Sequence, residues 1–244
     1  MPCEWRSDSF SINVTLPIPS ALQGSWGRMW LAAVALLLVF ELTPLDIWLA
    51  DRYFVAGRFV GEGNWWLEVF SHQWAKWTMI LLALLVWLRV LAGHFNAHWR
   101  HDSRRWLAVA VAMLLAPAAV GILKHFSDSH CPWDVQRYGG TTPYVKLLEW
   151  IPVVEPGRCF PAGHATSGFA LFGAVLFWRG RNRRLANLAW WLAFTAGIAL
   201  GWGQQMRGAH FLSHTLWSAW VCWAVCLLLF ASLRPDKTDP TKLS

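Results

Sequence analysis

The sequence predicts an all-α fold, a polytopic bundle of six transmembrane helices, and three observations support this prediction. Hydrophobic residues fill 56% of the 244 positions. Charged residues fill only 14%, against about 25% in an average soluble domain. Twenty residues are Trp, a side chain that favours the boundary between membrane and water. A soluble domain of this length cannot bury so much apolar surface, so the chain is expected to span a membrane.

Six apolar windows approach the length of about 20 residues that a membrane span requires. The first window contains Glu41, Pro44 and Asp46, so its far end is predicted to be interfacial. The second carries Arg89 near one end, where the long side chain can reach the interface. The windows are residues 29–50, 77–92, 106–123, 164–178, 185–202 and 211–233.

Lys and Arg indicate the direction of the spans. They concentrate in the loops 94–105 and 179–184 and in the tail 234–244, all on one side of a six-span layout. Basic loops mark the cytoplasmic side, so both termini are expected there, within one membrane-embedded domain over 1–244 that includes a cytoplasmic segment 1–28. No cleavable signal peptide is expected at the start. The opposite loops then face outward, into the periplasm if the membrane is a bacterial inner membrane.

The net charge of +7 suits anionic lipid head groups better than nucleic acid, because the basic residues sit in short runs between apolar stretches.

The outward side collects three polar motifs. KHFSDSHCPWD places Lys124 at the end of the third window, and CFPAGHATSG places His164 at the start of the fourth. GQQMRGAHFLSH, between the fifth and sixth, carries Arg207, His210 and His214.

Each of these residues has an ordinary explanation when taken alone: a lysine that anchors a helix end, a satisfied polar histidine, a Pro-Gly loop. Their common depth favours a functional site, because ionisable groups embedded in a membrane cost several kcal/mol unless they pair or function.

The spacings resemble those of the type 2 phosphatidic acid phosphatase superfamily, which consists of six-span lipid phosphatases. That family has Lys followed after six residues by Arg-Pro, then Pro-Ser-Gly-His, then Ser-Arg, five residues, His, three residues and Asp. Here Lys124 is followed after six residues by Cys-Pro at 131–132. Pro-Ala-Gly-His occupies 161–164, and three residues separate His210 from His214.

The sequence departs from the family pattern at four positions. Cys131 stands in place of a phosphate-binding Arg, and Ala162 in place of Ser. Gln204 occupies the Arg position of the third motif, with Arg207 three residues later. His214 occupies the position of the Asp that orients the nucleophile.

The resemblance implies catalysis by histidine. His210 is expected to attack phosphorus and to form a phosphohistidine, while His164 protonates the leaving oxygen and later activates water. His214 is expected to accept a hydrogen bond from His210 without supplying the negative charge of an Asp. Asp128 or Asp134 is an alternative source of that carboxylate.

Phosphate binding requires cations that offset the negative charge on the equatorial oxygens. Lys124 and Arg207 are expected to fill this role. Backbone N–H groups around Gly163, at the start of the fourth helix, are expected to assist them. Arg137 or Arg158, in the same outward loop as Cys131, is a candidate for the missing family cation.

A metal site is an alternative interpretation of His210 and His214, which lie one helical turn apart. The motif lacks an accompanying Glu base and a recognisable third ligand, and the resemblance implies neither a metal nor another cofactor.

The favoured function is therefore hydrolysis of a phosphorylated membrane lipid. The substrate could be a polyprenyl diphosphate, a lipid A 1-phosphate or a phosphatidylglycerophosphate-like lipid. One alternative is a phosphotransferase that uses the same site. Another is an impaired homologue that only binds anionic lipid. A third is a transporter or channel, which would scatter ionisable residues within its spans. The oligomeric state is not predicted.

Four of the five cysteines form two groups. Cys131 and Cys159 both lie in the outward loop, where an oxidising compartment permits a disulfide. A bond between them would close a loop of 27 intervening residues and contribute about 3 kcal/mol in the loop-entropy model. Cys222 and Cys226 fall in an apolar helix and are expected to be buried thiols.

Overall fold

A computed structural model of the chain describes residues 20–149 and 155–232, apart from the side chains of 20–26, 70–72 and 231–232. The predictions for the first 19 residues and for the tail from residue 233 lie outside this range. The described chain is mostly helical, as the sequence predicts, with one small hairpin formed by the antiparallel strands β1 (Phe54–Val55) and β2 (Arg58–Phe59).

The long helices agree with the apolar windows, but several extend further. A π-helix, Trp66–Trp74, runs directly into α3, and 3-10 turns occur at Pro132–Asp134, Gln136–Tyr138 and Ala170–Phe172. The α-helices are α1 (Ser20–Leu42), α2 (Leu45–Asp51), α3 (Ala75–Phe95), α4 (Ala97–Arg100), α5 (Ser103–His125), α6 (Thr166–Phe169), α7 (Gly173–Trp178), α8 (Arg183–Met206) and α9 (Leu212–Ser232).

Within the described residues, four helices are long and apolar enough to cross a membrane: α3, α5, α8 and α9. A fifth span results if α1 and α2 are counted together, although the chain bends by 66° between them. The bend coincides with Pro44, which lacks an N–H and disfavours helix at the residue before it. The fourth window forms only the short apolar segment Thr166–Trp178, broken by a 3-10 turn. The structure therefore supports four to five spans, and the count of six remains a prediction.

The surface of α3 is apolar. Leu81, Leu84 and Leu85 expose 55%, 53% and 51% of their surface. Such a continuous apolar surface is unfavourable in water and favourable against lipid chains, so α3 lies at the periphery of the bundle.

Small residues allow the inner helices to approach closely. Ala112 and Ala116 of α5 are fully buried in the central cluster with Phe169 and Phe172. A side chain on Gly168 of α6 would clash with the backbone of Gly197 in α8. Contacts of this kind replace the hydrophobic driving force that is absent between helices in lipid. Cys222 and Cys226 of α9 are buried free thiols, as predicted.

Candidate functional site

The last turn of α5 carries Lys124, because this helix continues to His125, two residues beyond its predicted end. The Lys124 Nζ faces Gly163: a methyl group added at Gly163 would lie 3.9 Å from it. The loop before α6 is fixed to α9, since Ala162 N donates to His214 O at 3.1 Å and Ser218 Oγ donates to Ala162 O at 2.9 Å. These bonds hold the Pro-Ala-Gly-His motif against the helix that carries His214.

A tight turn between α8 and α9 positions His210. Gly208 N donates to Gln205 O at 3.0 Å, and Ala209 N donates to Gln204 O at 2.9 Å, the hydrogen-bond pattern of a Schellman helix end. Gly208 has φ +71° and lies so close to the Phe59 ring that a side chain there would clash. Only glycine satisfies both constraints without strain. The turn therefore directs His210 into the bundle, where it is 2% exposed.

The disulfide Cys131–Cys159 is present, as the sequence predicts, with the two Cα atoms 5.3 Å apart. It joins the segment after Lys124 to the segment before His164. Cys159 is completely buried, and its Sγ lies 3.3 Å from the Nδ1 of His210. One nitrogen of His210 therefore faces the bridge, which leaves Nε2 as the nitrogen directed elsewhere.

His164 and His210 face each other, with ring centroids 5.9 Å apart. Burial lowers the pKa of His210 well below its usual value, and the nearby charges of His214, Lys124 and His164 lower it further. A hydrogen bond to the Cys159 backbone acts in the opposite direction. Because the pKa is lowered, His210 is a neutral imidazole near pH 7, the form in which a ring nitrogen is a nucleophile.

His214 packs behind His210, with ring centroids 5.8 Å apart. Its Nε2 lies 3.4 Å from the Oγ of Ser129, and its ring contacts Phe160 and Phe211 at 5.4 Å each. His214 is thus a buried side chain in contact with the candidate nucleophile on one side and with the loop between α5 and α6 on the other.

A buried carboxylate secures the helix that carries His214. Asp46 of α2 is 3% exposed and accepts hydrogen bonds from the backbone N of Ser213, at 3.0 Å, and from its Oγ. The N–H groups of a first helical turn have no partner within the helix. Asp46 supplies one from a distant segment and adds a charge that favours the helix N-terminus.

Arg207 lies at the end of α8, which extends four residues beyond its predicted end and includes Gln204. The guanidinium donates to the Oε1 of Gln204 at 3.0 Å and to the Oε1 of Glu68 at 3.4 Å. Its Nε is buried and has no hydrogen-bond partner within the described residues. Arg207 is therefore held by two neighbours and keeps one donor.

The other candidates, in the loop between α5 and α6, have different surroundings. Arg137 forms a bidentate pair with Asp51, with both distances 2.8 Å, on an exposed part of the surface. Arg158 is exposed, and its backbone N donates to Ser127 O. Asp134 accepts from Thr142 through its backbone carbonyl, and Asp128 accepts from the N of Gly157 in the same way. In the described part of the chain, no hydrogen bond joins any of these four side chains to His210.

One group of potential metal ligands occurs among the described residues: Cys131, Cys159 and His210, whose ligand atoms lie within 4.8 Å of one another. Its two sulfurs are bonded to each other, and a metal requires free thiolates. This group differs from the His210 and His214 pair that the sequence suggested as a metal alternative.

Sequence reasoning missed three supporting contacts: Cys159 with His210, Ser129 with His214, and Asp46 with Ser213. Only Asp46 gave a usable signal, as an acidic residue inside an apolar window. The other two depend on how the loop between α5 and α6 folds back, which spacing does not reveal.

No curated protein and no solved structure matches the chain. A family model described as the PAP2 superfamily matches residues 105–237, which include all three polar motifs. Because that match covers more than half of the 244 residues, the chain belongs to the PAP2 superfamily, whose members are generally membrane phosphatases that hydrolyse phosphoric esters.

Proposed function

We propose that this protein hydrolyses a phosphate monoester or diphosphate of a membrane lipid through a phosphohistidine on His210. The substrate class comprises polyprenyl diphosphates, lipid A 1-phosphate and phosphatidylglycerophosphate-like lipids. The histidine-bearing end of the bundle is proposed to face the periplasm, and both termini the cytoplasm, because Lys and Arg concentrate at the opposite end.

The observation that carries the proposal is the pairing of His164 and His210, with ring centroids 5.9 Å apart, beside Lys124. This separation leaves room for one phosphoryl group between a nucleophile and an acid. The pair lies at the end of a membrane-spanning bundle, where a lipid head group is available.

In the first proposed step, Lys124 and Arg207 bind the non-bridging oxygens and offset their charge. The Nε2 of His210 forms a bond to phosphorus while the bond to the lipid oxygen breaks. His164 donates a proton to that oxygen, so the lipid leaves as a neutral alcohol, or as a monophosphate if the substrate is a diphosphate.

In the second step, His164 removes a proton from water, which attacks the phosphohistidine and releases inorganic phosphate. The disulfide sulfur and the backbone of Cys159 hold the Nδ1 side of His210. These neutral contacts are proposed to orient His210 as the Asp does in the family, while His214, at the position of that Asp, supports the ring from behind.

The first test is phosphate release from purified lipids of the three classes, measured in detergent with EDTA present. We expect at least one lipid to be hydrolysed, at a rate within about twofold of that without chelator, because Lys124 and Arg207 offset the charge that a metal would offset. A His164→Ala/His210→Ala double variant provides the blank. Loss of activity in EDTA with recovery on adding zinc or manganese would establish the metal alternative at His210 and His214. No release from any lipid would contradict the proposal.

The role of His164 predicts a dependence on the leaving group. In His164→Ala, the first turnover of an alkyl phosphate should slow by about 10²- to 10⁴-fold, because an alkoxide leaves poorly without a proton. With p-nitrophenyl phosphate, the variant should still release a rapid burst of nitrophenol and then stall, because hydrolysis of the phosphohistidine also needs His164. Stopped-flow kinetics measures both. Equal slowing of the two bursts would contradict this role.

A further inference from the structure

A polar cavity lies at the end of the bundle opposite to His164 and His210. Helix α8 runs from Arg183 to Met206, about 36 Å, and separates the two ends. The cavity has a volume of about 880 Å³ and opens between α1 at Arg28 and Met29, the turn after α7 and the start of α8. Four arginines line it: Arg28, Arg179, Arg181 and Arg183.

The positive charge of this cavity is only partly balanced. Arg181 forms an ion pair with Asp102. Within the described residues, no carboxylate lies within ion-pair distance of Arg28, Arg179 or Arg183. Burial lowers the pKa of Arg179, and the neighbouring charge of Arg28 lowers it further. Two cations that disfavour each other in this way form a site that an anion would stabilise.

One wall of the cavity is apolar and continues into a groove. Met29, Trp190 and Trp223 line both the cavity and a second space of about 480 Å³, whose other lining residues are all apolar. This groove follows α1 as far as Phe40, about 17 Å from Met29. That length is close to one leaflet of a membrane with a hydrocarbon core of about 30 Å.

Helix α1 is attached to α9, since the Trp220 Nε1 donates to Met29 O at 2.9 Å. The groove lies where α1 stands beside Trp190 and Phe194 of α8. A lipid chain in this groove would bury apolar surface of both helices, and a phosphate above it would contact the arginines.

We infer that this cavity and groove bind one anionic phospholipid, with its phosphate among Arg28, Arg179 and Arg183 and one acyl chain between α1 and α8. Basic pockets between transmembrane helices bind anionic head groups in this way. The inference is independent of the proposed hydrolysis, because the site lies at the other end of the bundle and uses none of the catalytic residues.

The experiment uses the full-length protein in detergent, with dioleoyl phosphatidylglycerol as the probe. This lipid has no phosphate monoester, so the histidine site does not hydrolyse it. We expect it to raise the unfolding midpoint Tm of the wild type by roughly 5 °C or more at saturation. An Arg28→Gln/Arg179→Gln variant should lose most of this gain. Arg184→Gln, which changes the neighbour of a lining residue without changing the cavity, should keep it.

Three further arms separate the sources of binding. Dioleoyl phosphatidylcholine should give less than half of the gain in Tm, because its head group carries no net charge. Glycerol phosphate and inorganic phosphate should give no gain at the same concentration, because they lack the chain. Ala35→Trp, which fills the groove on the exposed side of α1, should reduce the lipid effect while leaving the arginines in place. Equal gains for all variants, or equal gains from lipid and free phosphate, would overturn the inference.

Discussion

Alanine in place of His210 is expected to lower kcat for phosphate release by about 10³-fold or more. The substitution removes the only nitrogen that the proposed mechanism uses as a nucleophile. The neighbouring His164 faces His210 at 5.9 Å, but its proposed role is to carry protons. Initial rates of phosphate release from the best lipid substrate, with protein folding checked by thermal unfolding, measure this effect.

The matched control is His125→Ala. His125 follows Lys124 directly, so it lies at the same depth, but its side chain is exposed and its ring contacts Phe126. This substitution should change kcat by less than about twofold, as is usual for surface positions away from a site. A folded His210→Ala protein that kept a tenth or more of the wild-type rate would rule out His210 as the nucleophile.

Loss of the Cys131–Cys159 bond is expected to have the second largest effect. The bond closes a loop with a sequence separation of 28, so its removal should lower the free energy of unfolding by about 3 to 4 kcal/mol. It also removes the bridge that lies 3.3 Å from the Nδ1 of His210. We therefore expect a Cys131→Ser/Cys159→Ser variant to be less stable and to have a kcat about 10-fold lower or more.

Reduction of the wild type with dithiothreitol should reproduce the effects of this double variant and should not affect the variant further. A Cys222→Ala/Cys226→Ala protein, which keeps the bridge, is the control for effects on the buried thiols of α9 and should respond to reduction like the wild type. Alkylation followed by peptide mapping reports the state of each cysteine. Free thiols at both Cys131 and Cys159, in unreduced protein from an oxidising compartment, would contradict the bond.

Features that depend on composition and local spacing were predictable from the sequence. Four of the six apolar windows correspond to α3, α5, α8 and α9, because a long run of apolar residues has no soluble alternative. The Cys131–Cys159 bond followed from the shared outward loop. The three motifs lie at one end of the bundle because antiparallel helices return their ends to the same depth.

Other features could not be predicted, because they arise between distant segments. The Asp46 contact with Ser213 joins residues 167 positions apart, and no local pattern indicates which helix a buried carboxylate will cap. Arg137 was a candidate for the missing phosphate cation, but in the structure it binds Asp51, 86 residues away. The fourth window is broken by a 3-10 turn at Ala170–Phe172, and hydropathy does not register such a break.

The position of Cys159 gives a physical account of one departure from the family pattern. The family orients its nucleophile with an Asp, whereas here the residue at that position, His214, packs behind the ring and binds Ser129. The sulfur and backbone of Cys159 face the Nδ1 of His210 instead. A neutral partner stabilises an imidazolium less than a carboxylate does, so this site keeps its nucleophile uncharged.

The most direct test of the central claim is to trap the covalent intermediate. Wild-type protein is mixed with a lipid substrate that carries a radioactive phosphate and is quenched in alkali within the first turnover, because phosphohistidine is stable in base and labile in acid. The account predicts label on the peptide that contains His210 in the wild type and none in His210→Ala. Phosphate release by the wild type without any label on that peptide would contradict the account.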